Sequence, residues 1–121
     1  MPSITFEKRE YPRLDTSHHR DCEIRVFGVH GKPLVARIMN ISLGGVAFVS
    51  DYKNIARALK KYSAKVKIHL PDGNNIDANT TLLRVRPVPT SNDCICVMKL
   101  TEMNGNHSAR LRKFIAVGHA N

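Results

Sequence analysis

The sequence predicts a mainly β domain, an antiparallel barrel or sandwich of about six strands closed by a C-terminal α-helix. Three observations carry this. Apolar and polar residues alternate over strand-length runs from Cys22 onward. Clusters of Gly, Pro, Asn and Ser separate those runs at short intervals. Helical periodicity is confined to a short segment after residue 53 and to the last run of the chain. At 121 residues there is room for one core and not two.

The first run, CEIRVFGV, sets Ile24 and Val26 against Glu23 and Arg25, the alternation of a half-buried strand. Gly31 and Lys32 mark a turn into PLVARIMNIS, a second strand; LGG interrupts it and VAFVS resumes as a third. KNIARALKKY places Ile55, Ala58, Leu59 and Tyr62 at helical spacing, which gives a short helix between strands three and four. AKVKIHL alternates strictly, with Val66, Ile68 and Leu70 on one side and Lys65, Lys67 and His69 on the other. PDGNN then turns the chain. IDANTTLLRVRPV reads as a long strand with an irregularity, ended by Pro87 and Pro89, and TSND leads into the last strand, CICVMKLTEM. Asn104 to Asn106 cap a helix over HSARLRKFIAV, with Leu111, Phe114 and Ile115 on its buried face.

No apolar run approaches the roughly 20 residues of a membrane-spanning helix, and the N-terminus lacks the apolar segment of a secretory signal. Three cysteines, Cys22, Cys94 and Cys96, are an odd number and argue against a disulfide framework. The expectation is a cytoplasmic protein without membrane insertion. A net charge of +9 favours an anionic partner. Up to Asp21 the cations Lys8, Arg9, Arg13 and Arg20 are matched by Glu7, Glu10, Asp15 and Asp21. The surplus therefore lies in KNIARALKKYSAKVK, LLRVRPV and ARLRK, where a solvated surface accounts for most of it.

Two short segments carry chemistry. In REYPR, Arg9 and Arg13 are four residues apart, and Pro12 biases Tyr11 towards extended geometry. Four extended residues span at most about 13 Å, so both guanidinium groups can converge on one compact anion. In NISLGG, Asn40 and Ser42 project from one face of an extended chain and offer both donors and acceptors. Gly44 and Gly45 permit positive φ and let another group approach the backbone. Alone, this segment also reads as a hairpin in which Asn and Ser satisfy their own backbone.

Together, REYPR at Arg9–Arg13 and NISLGG at Asn40–Gly45 make the chain resemble a PilZ domain, the bacterial receptor module for cyclic di-GMP. That family carries RxxxR in an N-terminal loop and [D/N]xSxxG at a strand junction some way downstream. HLPDG, LLRVRPV and the terminal TEMNGNHSARLRKFI extend the resemblance from about Glu7 to Val117. It implies a six-stranded antiparallel β-barrel with a C-terminal helix over residues 22–121, and a flexible arm over residues 1–21.

By that resemblance, Arg9 and Arg13 contact phosphate and guanine, whose O6 and N7 acceptors suit a guanidinium fork. Asn40 and Ser42 bind the other guanine, and Gly45 lets it lie close to the backbone. Lys8 and Gly44 are further candidates; the residue before the first Arg bears on whether one nucleotide or an intercalated pair is bound. The implied action is ordering of the arm over the nucleotide, which presents a surface to a downstream protein that the sequence does not identify. One departure is Val97, near where the family often has a glycine; facing the nucleotide it narrows the pocket, and facing the core it changes little.

Other readings are weaker. The six histidines lack zinc-site spacing, so no metal or other cofactor is expected. Cys94 and Cys96 share a strand face and read as buried apolar thiols. No catalytic constellation is legible, so an enzyme is not expected. A degenerate PilZ-type module acting through protein contacts alone is disfavoured by the intact Arg9, Arg13, Asn40, Ser42 and Gly45. An OB-like barrel binding single-stranded nucleic acid is disfavoured by seven aromatics and no tryptophan.

Overall fold

The computed structural model describes residues 13–17, 21–27, 33–51, 53, 55 and 63–120. Strands β1 (Leu14–Asp15), β2 (Glu23–Phe27), β3 (Leu34–Ile41), β4 (Gly45–Asp51), β5 (Ser63–His69), β6 (Asn75–Pro87) and β7 (Asp93–Glu102) precede helix α1 (Gly105–Ala120). All pairings are antiparallel, in the order β1-β3-β2-β5-β6-β7-β4, and a further β3–β4 pairing closes the ring. The barrel therefore has six strands, as predicted, and closure removes the exposed edges an open sheet would leave. Lys53 and Ile55 are helical and Ile55 is buried; the remainder of the predicted helix over 53–62 lies outside the described residues.

Alternation decides what fills the barrel. Ile24 and Val26 of β2, Val46 and Phe48 of β4, Val66 and Ile68 of β5, and Cys94, Cys96 and Met98 of β7 all point inward. Leu111 and Ile115 of α1 join the same core, with Phe114 half-buried against it. They lie on one stripe of the helix, which packs against β6 and β1. Asn104 caps the helix: its Oδ1 accepts from His107 N (2.9 Å) and its carbonyl from Ser108 N (2.9 Å). No helix among the described residues is long and apolar enough to cross a membrane.

Both long hairpins follow their turn chemistry. Between β5 and β6, Gly73 takes φ 92° and its N–H donates to Leu70 O (3.0 Å), while Asp72 accepts from Asn74 N (2.9 Å). Between β6 and β7, Thr90 holds a positive φ of 62°. The irregularity predicted in β6 is two register shifts against β7, between Asn79 and Thr80 and between Leu82 and Arg84.

The two-residue β1 has no counterpart in the sequence pattern. Leu14 pairs with Ile41 and Asp15 with Asn40, while β2 pairs with the other end of β3, Leu34 to Arg37. Both thus lie along the same side of β3. Thr16, fully buried, fixes the junction: its N–H donates to Met39 O (2.9 Å) and its hydroxyl to Ile38 O (2.8 Å). Residues 14–16, which the sequence places in the arm, are thus held against the barrel wall. Gly118 of α1 packs on this segment, since a Cβ there would lie 2.6 Å from Leu14 Cδ2.

Candidate functional site

The NISLGG segment leaves β3 and enters β4 by a tight turn. Ser42 N–H donates to Gly45 O (2.8 Å), and Ser42 Oγ accepts from Gly44 N (3.1 Å) and Gly45 N (3.2 Å). Ser42 is 8% exposed. Its oxygen lone pairs are thus spent on the turn, the self-satisfied hairpin that the sequence allowed, and its hydroxyl hydrogen is what remains to offer a guest.

Of close approach and positive φ, the two things the glycines allow, the structure uses the first at Gly45 and not the second. Among the described residues Gly73 is the glycine with positive φ, so Gly44 and Gly45 do not use that freedom. Gly45 is instead required by close approach: a Cβ would meet the Met98 carbonyl oxygen at 2.9 Å. Gly44 O accepts from Leu100 N (3.0 Å), tying the turn to β7.

Antiparallel register brings Arg13, the last residue of the first signature segment, to the second segment. Continuing the pairing of Leu14 with Ile41 by one residue sets Arg13 beside Ser42, and Asp15 lies directly across from Asn40. Arg13 is exposed and Asn40 half-buried. Among the described residues neither side chain has a hydrogen-bonding or ionic partner. Asp15 is occupied: its Oδ1 accepts from Ser17 N (2.9 Å) and Ser17 Oγ (2.6 Å). Arg9 and Lys8 lie outside the described residues.

Alternation also places Val97. Its neighbours Cys96 and Met98 fill the barrel, so Val97 faces outward, half-buried. It pairs with Ala47, which pairs in turn with Asn40. Val97 therefore belongs to the outer face that carries the Asn-Ser ledge, not to the core, and narrows the space beside it.

The remaining polar features point elsewhere. Burial pushes the Cys22 thiol up to about 11, against a smaller opposing hydrogen bond from Thr16. Burial, reinforced by neighbouring Cys94, pushes Cys96 up to about 12. Both stay protonated near neutral pH and are poor nucleophiles. Cys94 and Cys96 are free, with Sγ atoms 3.8 Å apart inside the barrel. Among the described residues no cluster of His, Cys, Asp and Glu has the makings of a metal site. A groove of about 550 Å³ lies on another part of the wall, lined by Phe27, Lys65, Lys67, Asp77 and Glu102 among others, and it contains no signature residue.

The sequence matches the PilZ domain profile over residues 7–116. Among solved structures, the Bacillus subtilis inhibitor of motility MotI/DgrA superposes with a TM-score of 0.75 at 19% identity, covering 93% of this chain and 52% of its own. The PilZ domain of Escherichia coli YcgR, solved with c-di-GMP, gives 0.73 at 12% identity, covering 93% and 92%. MrkH of K. pneumonia in its apo state gives 0.74 at 16%, covering 90% and 50%. The chain thus spans about half the length of MotI/DgrA and MrkH, and at these identities the likeness establishes the fold. A search of curated proteins found no match.

Proposed function

The chain belongs to the PilZ domain family, and on that premise we propose that it is a receptor for cyclic di-GMP. The observation that supports this most is the register of β1 on β3. Arg13 stands beside Ser42 with Asn40 next in line, so residues 29 positions apart in sequence (42 minus 13) border one outer surface. Arg13 and Asn40 have no partner among the described residues and retain their full hydrogen-bonding capacity for a ligand.

In this reading Arg13 and Arg9 engage phosphate and guanine through charge-assisted, forked hydrogen bonds. Asn40 reads a guanine edge, assisted by the hydroxyl hydrogen of Ser42, while Gly44 and Gly45 keep the surface low. Lys8, the residue before Arg9, adds charge and is compatible with an intercalated pair of nucleotides. The action is binding without chemistry. The arm before Arg13 folds over the nucleotide, anchored at β1, and the new surface is read by a downstream protein.

Labelled cyclic di-GMP, competed with unlabelled cyclic di-GMP, GTP or single-stranded oligonucleotide, tests the assignment. Displacement by the cyclic dinucleotide alone is expected. Absence of saturable binding, or displacement by oligonucleotide, contradicts it.

A further inference from the structure

Beyond the NISLGG turn, on β7 and β6, the outer face carries a second set of cations. Ser42 is joined to Gly45 by the turn, Gly45 pairs with Lys99, and Lys99 pairs with Thr81. Two residues further along the strands, Asp15, Asn40, Ala47, Val97 and Arg84 form a parallel row through successive pairings. A line drawn across the sheet therefore starts at Arg13, crosses the ledge and the apolar floor of Ala47 and Val97, and ends on Lys99 and Arg84.

Both cations face the same way as the ledge. Met98 and Leu100 are buried, so Lys99 between them points outward and is exposed. Arg84 is exposed at the β6 register shift, which leaves Leu83 61% exposed beside it. Such an irregularity re-aims side chains, and here it turns a guanidinium towards the row of Val97. Gly45 matters again, because the strand next to Lys99 has no side chain at that position. The flexible four-carbon stem of Lys99 can lean across it towards Ser42. Among the described residues neither Lys99 nor Arg84 has an ionic or hydrogen-bonding partner.

We infer that Lys99 and Arg84 form the far wall of the nucleotide site, with Val97 as the floor between the two walls. The inference rests on the receptor reading above and extends it. Three strand spacings of about 4.8 Å separate the strand of Arg13 from that of Lys99, roughly 14 Å along the wall, and a fourth, to roughly 19 Å, reaches that of Arg84. Long side chains leaning in from both sides narrow that gap to the scale of one compact dianion. Cations on one rim alone would leave the far phosphate facing solvent. Cations on both rims neutralise two separated phosphates while a base rests on Val97, which is half-buried beside the buried Ala47. The ligand class is a dinucleotide with two phosphates, and a mononucleotide engages one wall.

The test is calorimetric titration of cyclic di-GMP into the wild-type chain and into Arg13→Ala, Lys99→Met, Arg84→Gln, the Lys99→Met/Arg84→Gln double variant and Lys99→Arg, with a thermal melt of each. Each charge-removing change is expected to weaken binding about tenfold at unchanged melting temperature, since a charged hydrogen-bonding partner is lost. The double variant weakens it further, and Lys99→Arg stays within about threefold of wild type because the charge remains. Added salt weakens the wild type more than the double variant, as fewer charges remain to be screened. If the wild type binds, Arg13→Ala weakens it, and Lys99→Met and Arg84→Gln bind as well as wild type, the far wall is refuted while the receptor reading stands. If the wild type does not bind, both fall.

Discussion

Asp15 lies directly across from Asn40 in the β1–β3 pair, and the chain between them contains β2 and most of β3. This contact makes one surface out of two segments far apart in sequence. It is short, two residues of pairing, and owes its persistence to what surrounds it: Thr16 bonded to β3, Leu14 buried, and α1 packed over Leu14 at Gly118.

Thr16→Val removes the hydroxyl that bonds Ile38 O at 2.8 Å while keeping the side-chain shape. A buried carbonyl then loses its partner, which costs about 1–3 kcal/mol. Denaturant unfolding is expected to show a lower midpoint. Because Thr16 anchors β1, cyclic di-GMP affinity is expected to fall as well, although Thr16 is fully buried and touches no ligand.

Gly45→Ala places a methyl group 2.9 Å from the Met98 carbonyl oxygen, a backbone atom that moves only if β4 and β7 separate. Overpacking of this kind costs roughly 1–3 kcal/mol. The melting temperature is expected to drop by several degrees, and a variant as stable as wild type would show that the two strands part freely.

The thiols make stability depend on alkaline pH. Their folded pKa values, about 11 for Cys22 and about 12 for Cys96, lie above the 9.0 of an unperturbed thiol. The native state therefore holds protons that the unfolded chain releases. The stabilisation is complete below about pH 9 and is lost as pH rises through 11 to 12. Denaturant midpoints should fall over that window, and fall less in Cys22→Ala/Cys96→Ala. Iodoacetamide at pH 8.5 should label the cysteines in urea and spare them in the folded protein.

The barrel was legible because its strands advertise themselves: Val66, Ile68 and Leu70 alternate with charges, and PDGNN breaks the run. The helix cap was legible as one of Asn104 to Asn106, and it is Asn104. What lay hidden depended on pairing between distant strands. Two residues carry no periodicity, so β1 left no pattern, and Thr16 looked like any arm residue. Ser42 was readable as either a ligand group or a turn group; the 3.1 and 3.2 Å bonds to Gly44 and Gly45 assign its acceptors to the turn. Gly45 owes its place to Met98, which only the β4–β7 register reveals. The outward aim of Val97, Lys99 and Arg84 follows from the same register and from the shift after Leu82.

The convergence of the two signature segments on one guest is tested most directly by calorimetric titration of cyclic di-GMP into wild type, Arg13→Ala and Asn40→Ala. The account predicts saturable binding by the wild type, weakened at least tenfold in each variant at unchanged melting temperature, as for lost charged or polar partners. Equal affinity in all three proteins would contradict it.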